Sequence, residues 1–260
     1  MTKTILVTGA TDGIGLLTAQ KLAAQGHVVL LHGRSAAKLD AAKHAVGGTS
    51  QTYRADLSSI SDTLSFSDAV AADHSQIDVL INNAGVLKTA SPRLPSGQDI
   101  RFVVNTFAPY VLTKALLPII PSDGRVINLS SAAQAPVNAQ AMRGGITMSD
   151  MDAYAQSKLA ITIWSQEMAK TLPDGPVVIA VNPGSLLASK MVKEGFGIEG
   201  SDLSIGADIL CRLALDETHA NDTGKYWDND AGRFTAPHDA ASDPRQIQTV
   251  MDVLGELQTS

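Results

Sequence analysis

The chain holds a single cysteine, Cys211, so no internal disulfide can form, and its setting Ile209-Leu210-Cys211-Arg212-Leu213 reads as the buried stripe of a helix. A reducing, cytoplasmic compartment suits such a sequence. There is no block of like charge and no basic excess. The formal charge is -6 and the pI about 5.4, which argues against a nucleic acid or an anionic membrane surface as principal partner. No apolar run approaches the roughly 18 residues of a membrane span. Only Lys3 precedes the first apolar run, which turns directly into a glycine loop and so reads as a fold element and not a signal peptide. The six histidines, at 27, 32, 44, 74, 219 and 238, share no ligand spacing; they read as surface residues, and no metal site is expected. No internal repeat or low-complexity segment stands out.

What is present is apolar mass: of 260 residues, 44% are hydrophobic and 18% charged, enough to bury one sizeable core. Short β-branched or aliphatic runs, Thr4 to Val7, Val28 to Leu31, Ile77 to Ile81, Val126 to Leu129 and Val177 to Val181, recur between helical stretches at about 13–25, 35–46, 59–73, 98–120, 152–172 and 204–216. That alternation predicts an α/β fold, a doubly wound parallel sheet of Rossmann type forming one domain over 1–260. The runs are mostly apolar and do not alternate, as expected of strands covered on both faces. Tyr226-Trp227 reads as a last short strand, and Asp243-Pro244 as the start of a closing helix whose Ile247, Val250, Met251, Leu254 and Leu257 share a face.

Two stretches lack a regular pattern, Ala132 to Asp152 and Ser185 to Ser204. Both fall beyond the carboxyl ends of strands, where open parallel sheets bind ligands, and are read as substrate-shaping loops. Met142, Met148 and Met151 in the first, with Met191, Val192, Phe196 and Ile198 in the second, suit either an apolar lid over a hydrophobic substrate or ordinary loop packing. Arg143 reads as a solvated loop residue, with an anionic substrate as the other use.

Ile5-Leu6-Val7-Thr8-Gly9-Ala10-Thr11-Asp12-Gly13-Ile14-Gly15 runs from a strand through a glycine turn into a helix. Such a turn directs free N–H groups and the positive end of a helix dipole at one point, which suits a pyrophosphate. Far downstream lies Tyr154-Ala155-Gln156-Ser157-Lys158. Hydride transfer between a carbinol carbon and nicotinamide needs a group that takes or gives the hydroxyl proton. A tyrosine starts near 10, so bringing it to neutrality takes about three units, or roughly 4 kcal/mol. A lysine ammonium about 4 Å away, at an effective dielectric of about 20, supplies about that much, and i, i+4 spacing puts both on one helix face. The same spacing recurs in Tyr110 and Lys114, but among Phe107, Leu112 and Leu116 and after no serine-ended strand, so that pair reads as structural. Tyr154 follows Asn128-Leu129-Ser130-Ser131 and precedes the run Val177 to Val181, which sets its helix at the ligand-binding edge.

Over nearly the whole chain these motifs resemble the short-chain dehydrogenase/reductase family. Its TGxxxGIG motif is matched by Thr8, Gly9, Gly13, Ile14 and Gly15, its NNAG segment by Asn82-Asn83-Ala84-Gly85, its adenine-contacting pair by Asp56-Leu57, and its helical asparagine by Asn105. The resemblance implies that Gly9, Thr11, Asp12, Gly13, Ile14, Gly15, Asp56, Leu57, Asn83, Ala84 and Gly85 hold the dinucleotide. Pro183 and Gly184 then cradle the nicotinamide, with Ser189 serving for a hydroxyl that the family carries one place earlier. It also implies a catalytic set in which Ser131 orients the substrate oxygen, with Ser130 as the alternative. In that set Tyr154 is the acid or base, Lys158 lowers its pKa and holds the nicotinamide ribose, and Asn105 positions a relay water.

The gap between Ser131 and Tyr154 is longer than in many members and resembles the retinol-dehydrogenase-like branch. At the end of the second strand Gly33 stands where NAD-using members place an acid, and Arg34 follows. A guanidinium there pairs with a 2′-phosphate, so NADP(H) is the expected cofactor, with NAD(H) possible. Asp12 dissents, standing where many NADP-preferring relatives carry Lys or Arg. The implied protein is an oxidoreductase acting on a small carbonyl or alcohol, as a homodimer or homotetramer. The rivals are a catalytically silent NADP-binding regulator or scaffold on the same fold and an epimerase or dehydratase of the related extended group, whose longer chains carry a substrate subdomain.

Overall fold

In the computed structural model, which describes residues 1–185, 187, 200 and 202–257, the strands are β1 (Thr4–Val7), β2 (Val28–Gly33), β3 (Ser50–Arg54), β4 (Val79–Asn82), β5 (Arg125–Leu129), β6 (Val177–Asn182), β7 (Tyr226–Asp228) and β8 (Arg233–Thr235). They form one sheet in the order β3-β2-β1-β4-β5-β6-β7-β8. Neighbours from β3 through β7 pair in parallel, and only β8 runs antiparallel, against β7. Alternate residues feed opposite layers, because side chains along a strand alternate in direction. Ile5 and Val7 pack with Val29 and Leu31 in one core, and Leu6 with Leu30 and Leu80 in the other.

The helices are α1 (Gly13–Ala24), α2 (Ala36–Val46), α3 (Ile60–Asp73), α4 (Ile100–Phe102), α5 (Ala108–Leu116), α6 (Ala139–Met142), α7 (Asp150–Lys170), α8 (Leu203–Leu215) and α9 (Pro244–Glu256). A π-helical turn, Val103–Phe107, joins α4 to α5. Side-chain oxygens start several of them: Asp12 caps α1, Ser59 caps α3 and Ser149 caps α7, the last with Asp150 and Asp152 in the first turn to meet the helix dipole. Asp243 caps α9 with Pro244 in its first turn, as the sequence predicts.

Several expectations are corrected. β3 is absent from the apolar runs because it is a sheet edge of mostly polar residues, with only Ser50 and Tyr53 buried, and β8 is only three residues long. Ile100–Ile119, 20 residues with mean hydropathy 1.4, is long and apolar enough to cross a bilayer by length and composition, contrary to the reading that no run approaches a span. Its window is 67% buried, and it packs against α3 and α7 as a core element. The surface reading fails for His32 and His219, which are 2% and 7% exposed.

The first substrate loop is less open than expected. It contains α6, and Met142 is fully buried against α7 and α9 residues, so for that methionine packing wins over a lid. Arg143 pairs with Glu256 of α9 at 2.6 Å, which accounts for it without an anionic substrate. Met191, Val192, Phe196 and Ile198 lie outside the described residues. Cys211 is buried, and burial pushes its thiol up to about 12, as befits an inert core cysteine.

Candidate active site

The glycine turn is built by close approach. Gly9 adopts φ 64°, and a Cβ there would sit 3.0 Å from Ala84 Cα; a Cβ at Gly15 would overlap Asn83 Nδ2 and the Gly9 carbonyl. Glycine at both positions lets α1 begin directly against the end of β4. The Asn83 side chain donates to the carbonyls of Thr8 at 2.8 Å and Gly9 at 3.1 Å, while Thr8 Oγ1 accepts from the main-chain N–H groups of Asn83 and Ala84. The TG and NNAG segments, far apart in sequence, are thus one unit. Thr11, Gly13, Ile14, Asn83, Ala84 and Gly85 are half-buried around the crevice, and Asp12 is exposed at its lip. A helix N-terminus reached through such a cradle fits a dinucleotide phosphate.

Asp12 does not stand as a bare anion. Its Oδ1 accepts from Gly13 N–H and its Oδ2 pairs with Lys38 at 3.2 Å. Arg34 is exposed at the end of β2. A Cβ on Gly33 would meet Thr11 Cγ2 at 2.5 Å, so a carboxylate cannot be mounted there unless Thr11 moves. Asp56 is half-buried, with Oδ1 taken by the N–H and hydroxyl of Ser58, and the Leu57 side chain is buried in the core. Of that pair, then, only Asp56 faces outward. Ser189 lies outside the described residues. Pro183 and Gly184 are braced by the β7–β8 turn, where Asn229 donates to Pro183 O at 3.0 Å and the Asp230 carboxylate accepts from Ser185 N–H at 2.8 Å.

At the carboxyl end of β5 the two serines separate cleanly. Ser130, 3% exposed, bonds Lys158 O at 2.9 Å and Thr162 Oγ1 at 2.7 Å, which ties β5 to α7. Ser131 is hydrogen-bonded to the Tyr154 hydroxyl. The structure therefore groups Ser131, not Ser130, with Tyr154. Lys158 lies one turn further along α7, 3% exposed, its Nζ donating to Leu129 O at 2.7 Å and standing 5.6 Å from the Tyr154 ring centroid.

Electrostatics here depart from expectation. Burial raises the Tyr154 phenol above 10.0, with the Ser131 hydrogen bond pulling the other way, and burial pushes Lys158 down to about 7. Burial leaves Lys158 partly discharged with its Nζ aimed at the Leu129 carbonyl, and an amine so placed is a weak electrostatic partner for the phenol. Asn105, fully buried in the π-turn, has both amide hydrogens engaged, by Val86 O at 3.0 Å and Ser157 Oγ at 2.9 Å, and its Oδ1 accepts from Val86 N–H. Ser157 in turn donates to Tyr154 O at 2.7 Å. The asparagine therefore reaches the tyrosine through Ser157.

Three supporting residues escape sequence reading. Tyr226 donates its hydroxyl to Ser131 O at 2.9 Å. Arg101, 1% exposed, forks onto Asp99 and also pairs with Asp150, the first residue of α7. His32 sits beneath the glycine turn. No local pattern marks any of them.

A glycine-cradled helix start and a serine–tyrosine–lysine cluster at the carboxyl edge of one parallel sheet define the dinucleotide-binding oxidoreductase class of α/β proteins. Comparison with known proteins narrows this. Residues 3–196 match the family model described as short chain dehydrogenase. Retinol dehydrogenase 13 of Homo sapiens is 30% identical over 269 residues, covering 90% of this chain and 78% of that protein. A short-chain dehydrogenase of Burkholderia cenocepacia solved in complex with NADP is 25% identical at TM-score 0.71, covering 87% of this chain and 95% of that one. An uncharacterised protein of Mycobacterium paratuberculosis shares the fold over 99% of this chain and 94% of its own, at TM-score 0.81 and 24% identity. The chain belongs to the short-chain dehydrogenase/reductase family of oxidoreductases, in its retinol-dehydrogenase-like branch.

Proposed function

We propose that this protein is an NADP(H)-dependent oxidoreductase acting on the carbonyl or alcohol group of an apolar small molecule. The observation that carries the reading is the meeting of Ser131, Tyr154 and Lys158 at one strand edge, with Asn105 latched behind them. Bound cofactor supplies or accepts the hydride. Ser131 holds the substrate oxygen beside the phenol, and Tyr154 passes its proton to that oxygen. A phenol held above 10.0 keeps its proton at neutral pH, which suits the reducing direction. Lys158, near half-charge at pH 7, can in its charged form either hold the ribose or return a proton to Tyr154, becoming a neutral amine until solvent reprotonates it. Asn105 acts as a positioning residue through Ser157.

NADP is favoured over NAD by three features: Gly33 in place of an acid, where a Cβ would crowd Thr11, Arg34 exposed beside it, and Lys38 pairing with Asp12. Arg34→Ala is expected to raise the KM for NADPH about tenfold, the scale of one lost charge-assisted contact, and to leave that for NADH unchanged. A matched titration with the two cofactors checks this. Exposed Ile146 and Met151, with half-buried Met148, give the approach to α7 an apolar rim that fits a hydrophobic substrate. A homodimer or homotetramer, tested by mass measurement in solution, and a cytoplasmic setting belong to the same reading. A panel of aldehydes, ketones and secondary alcohols followed by cofactor absorbance tests the activity itself. Tight NADPH binding with no turnover of any of them would favour the silent scaffold instead.

A further inference from the structure

His32 is a buried titratable group that the chemistry above does not use, and its carbonyl and both ring nitrogens are spent on the cofactor half of the site. At the end of β2 its main-chain carbonyl accepts from Ala10 N–H at 2.9 Å, and its Nδ1 lies 3.2 Å from Gly9 N. An amide N–H can only donate, so Nδ1 must be the unprotonated nitrogen. Nε2 then carries the hydrogen and donates it to Ala55 O at 3.1 Å. The ring stacks on Phe66 with centroids 4.8 Å apart. Both partners thus select one tautomer of one neutral ring.

Two segments of the cradle meet on that ring. Gly9, in the left-handed region at φ 64°, has its carbonyl held by Asn83 and its N–H held by His32. Ala55 immediately precedes Asp56, the outward-facing residue at the adenine end. We propose that His32 is the positioning residue that sets the glycine turn for the dinucleotide phosphates, by acting as the hydrogen-bond acceptor for the Gly9 N–H. The inference rests on the nicotinamide-dinucleotide reading given above. Burial pushes the imidazole down to about 4, outweighing the Ala55 hydrogen bond and the charges of Asp56 and Asp62, with Arg34 adding to the downward push. The acceptor therefore persists through the neutral range.

Three substitutions separate the roles. His32→Asn can present Oδ1 where Nδ1 stands and so keeps the acceptor for Gly9. His32→Gln can reach Ala55 O with its amide but has no acceptor at the Nδ1 position. His32→Phe keeps the ring against Phe66 and loses both polar contacts. In fluorescence titrations with NADPH, Gln and Phe are expected to weaken Kd about tenfold, while Asn stays within about twofold of wild type, as for loss and retention of one buried hydrogen bond. In turnover, the loss falls in the KM for NADPH. Amide hydrogen exchange gives a second reading, with Gly9 slow in wild type and His32→Asn and fast in His32→Gln. Folded Gln and Phe variants that bind NADPH as wild type does, or an Asn variant as weak as Phe, would overturn the inference alone. Wild-type protein that binds neither NADPH nor NADH would overturn the functional reading and this inference with it.

Discussion

Two tyrosine–lysine pairs in this molecule share one spacing and one geometry: Lys114 Nζ and Lys158 Nζ each stand 5.6 Å from the ring centroid of their tyrosine. Their surroundings differ. Tyr110, 6% exposed, packs edge-on against Trp164, and Lys114 is exposed. Tyr154 is half-buried at the carboxyl end of β5, with Ser131 on its hydroxyl and a buried lysine behind it. The i, i+4 spacing makes the contact in both places, as helix geometry requires. In the proposed mechanism, position on the sheet edge and the burial of its lysine give only the Tyr154 pair a use in proton transfer.

The comparison breaks if the two lysines behave alike. Lys158→Met is expected to lower kcat about 100-fold, within the range for a general acid–base system losing a member, while Lys114→Met stays within about twofold of wild type. A smaller contrast separates the adjacent serines. Ser131→Ala should cost about tenfold in kcat/KM, the scale of one hydrogen bond to the reacting oxygen. Ser130→Ala should leave turnover near wild type and lower the denaturant midpoint, since it frees Lys158 O and Thr162 from a buried bond.

The smallest effect is a slope of stability against pH. Lys158 falls from 10.5 to about 7 on folding, so between those values the unfolded chain holds a proton that the folded chain has released. Stability therefore rises with pH across that window, and the cost of the buried ammonium is fully present below pH 7. Urea midpoints at pH 7 and about 9.5 should show wild type and Lys114→Met gaining with pH relative to Lys158→Met. Parallel slopes for all three would contradict the assignment of the shift to Lys158.

The same contrast explains what could be read from the residues alone. β1, β2, β4, β5 and β6 are legible because helices cover them on both faces and their residues are mostly apolar, without a buried–exposed alternation. β3, a half-exposed edge, has no such run. Tyr154 and Lys158 are legible because one helix carries both. His32, Arg101 and Tyr226 are not, since Ala55, Asp150 and Ser131, the partners that tie them to the site, lie 23, 49 and 95 residues away in the chain and only the fold brings them together. The charge state of the pair was also out of reach: spacing predicts that the lysine faces the ring, whereas desolvation and the Leu129 carbonyl decide where its proton and its ammonium go. Asp12 looked hostile to a phosphate until α2 brought Lys38 against it.

The central claim is that the Tyr154 hydroxyl moves the proton while the rest of the cleft holds the dinucleotide. Measuring NADPH affinity and NADPH-dependent carbonyl turnover on the same preparations of wild type, Tyr154→Phe and Tyr110→Phe tests it most directly. The account predicts Kd unchanged within about twofold in both variants, turnover lost by at least about 100-fold in Tyr154→Phe, and turnover near wild type in Tyr110→Phe. Wild-type turnover in folded, NADPH-binding Tyr154→Phe would contradict it.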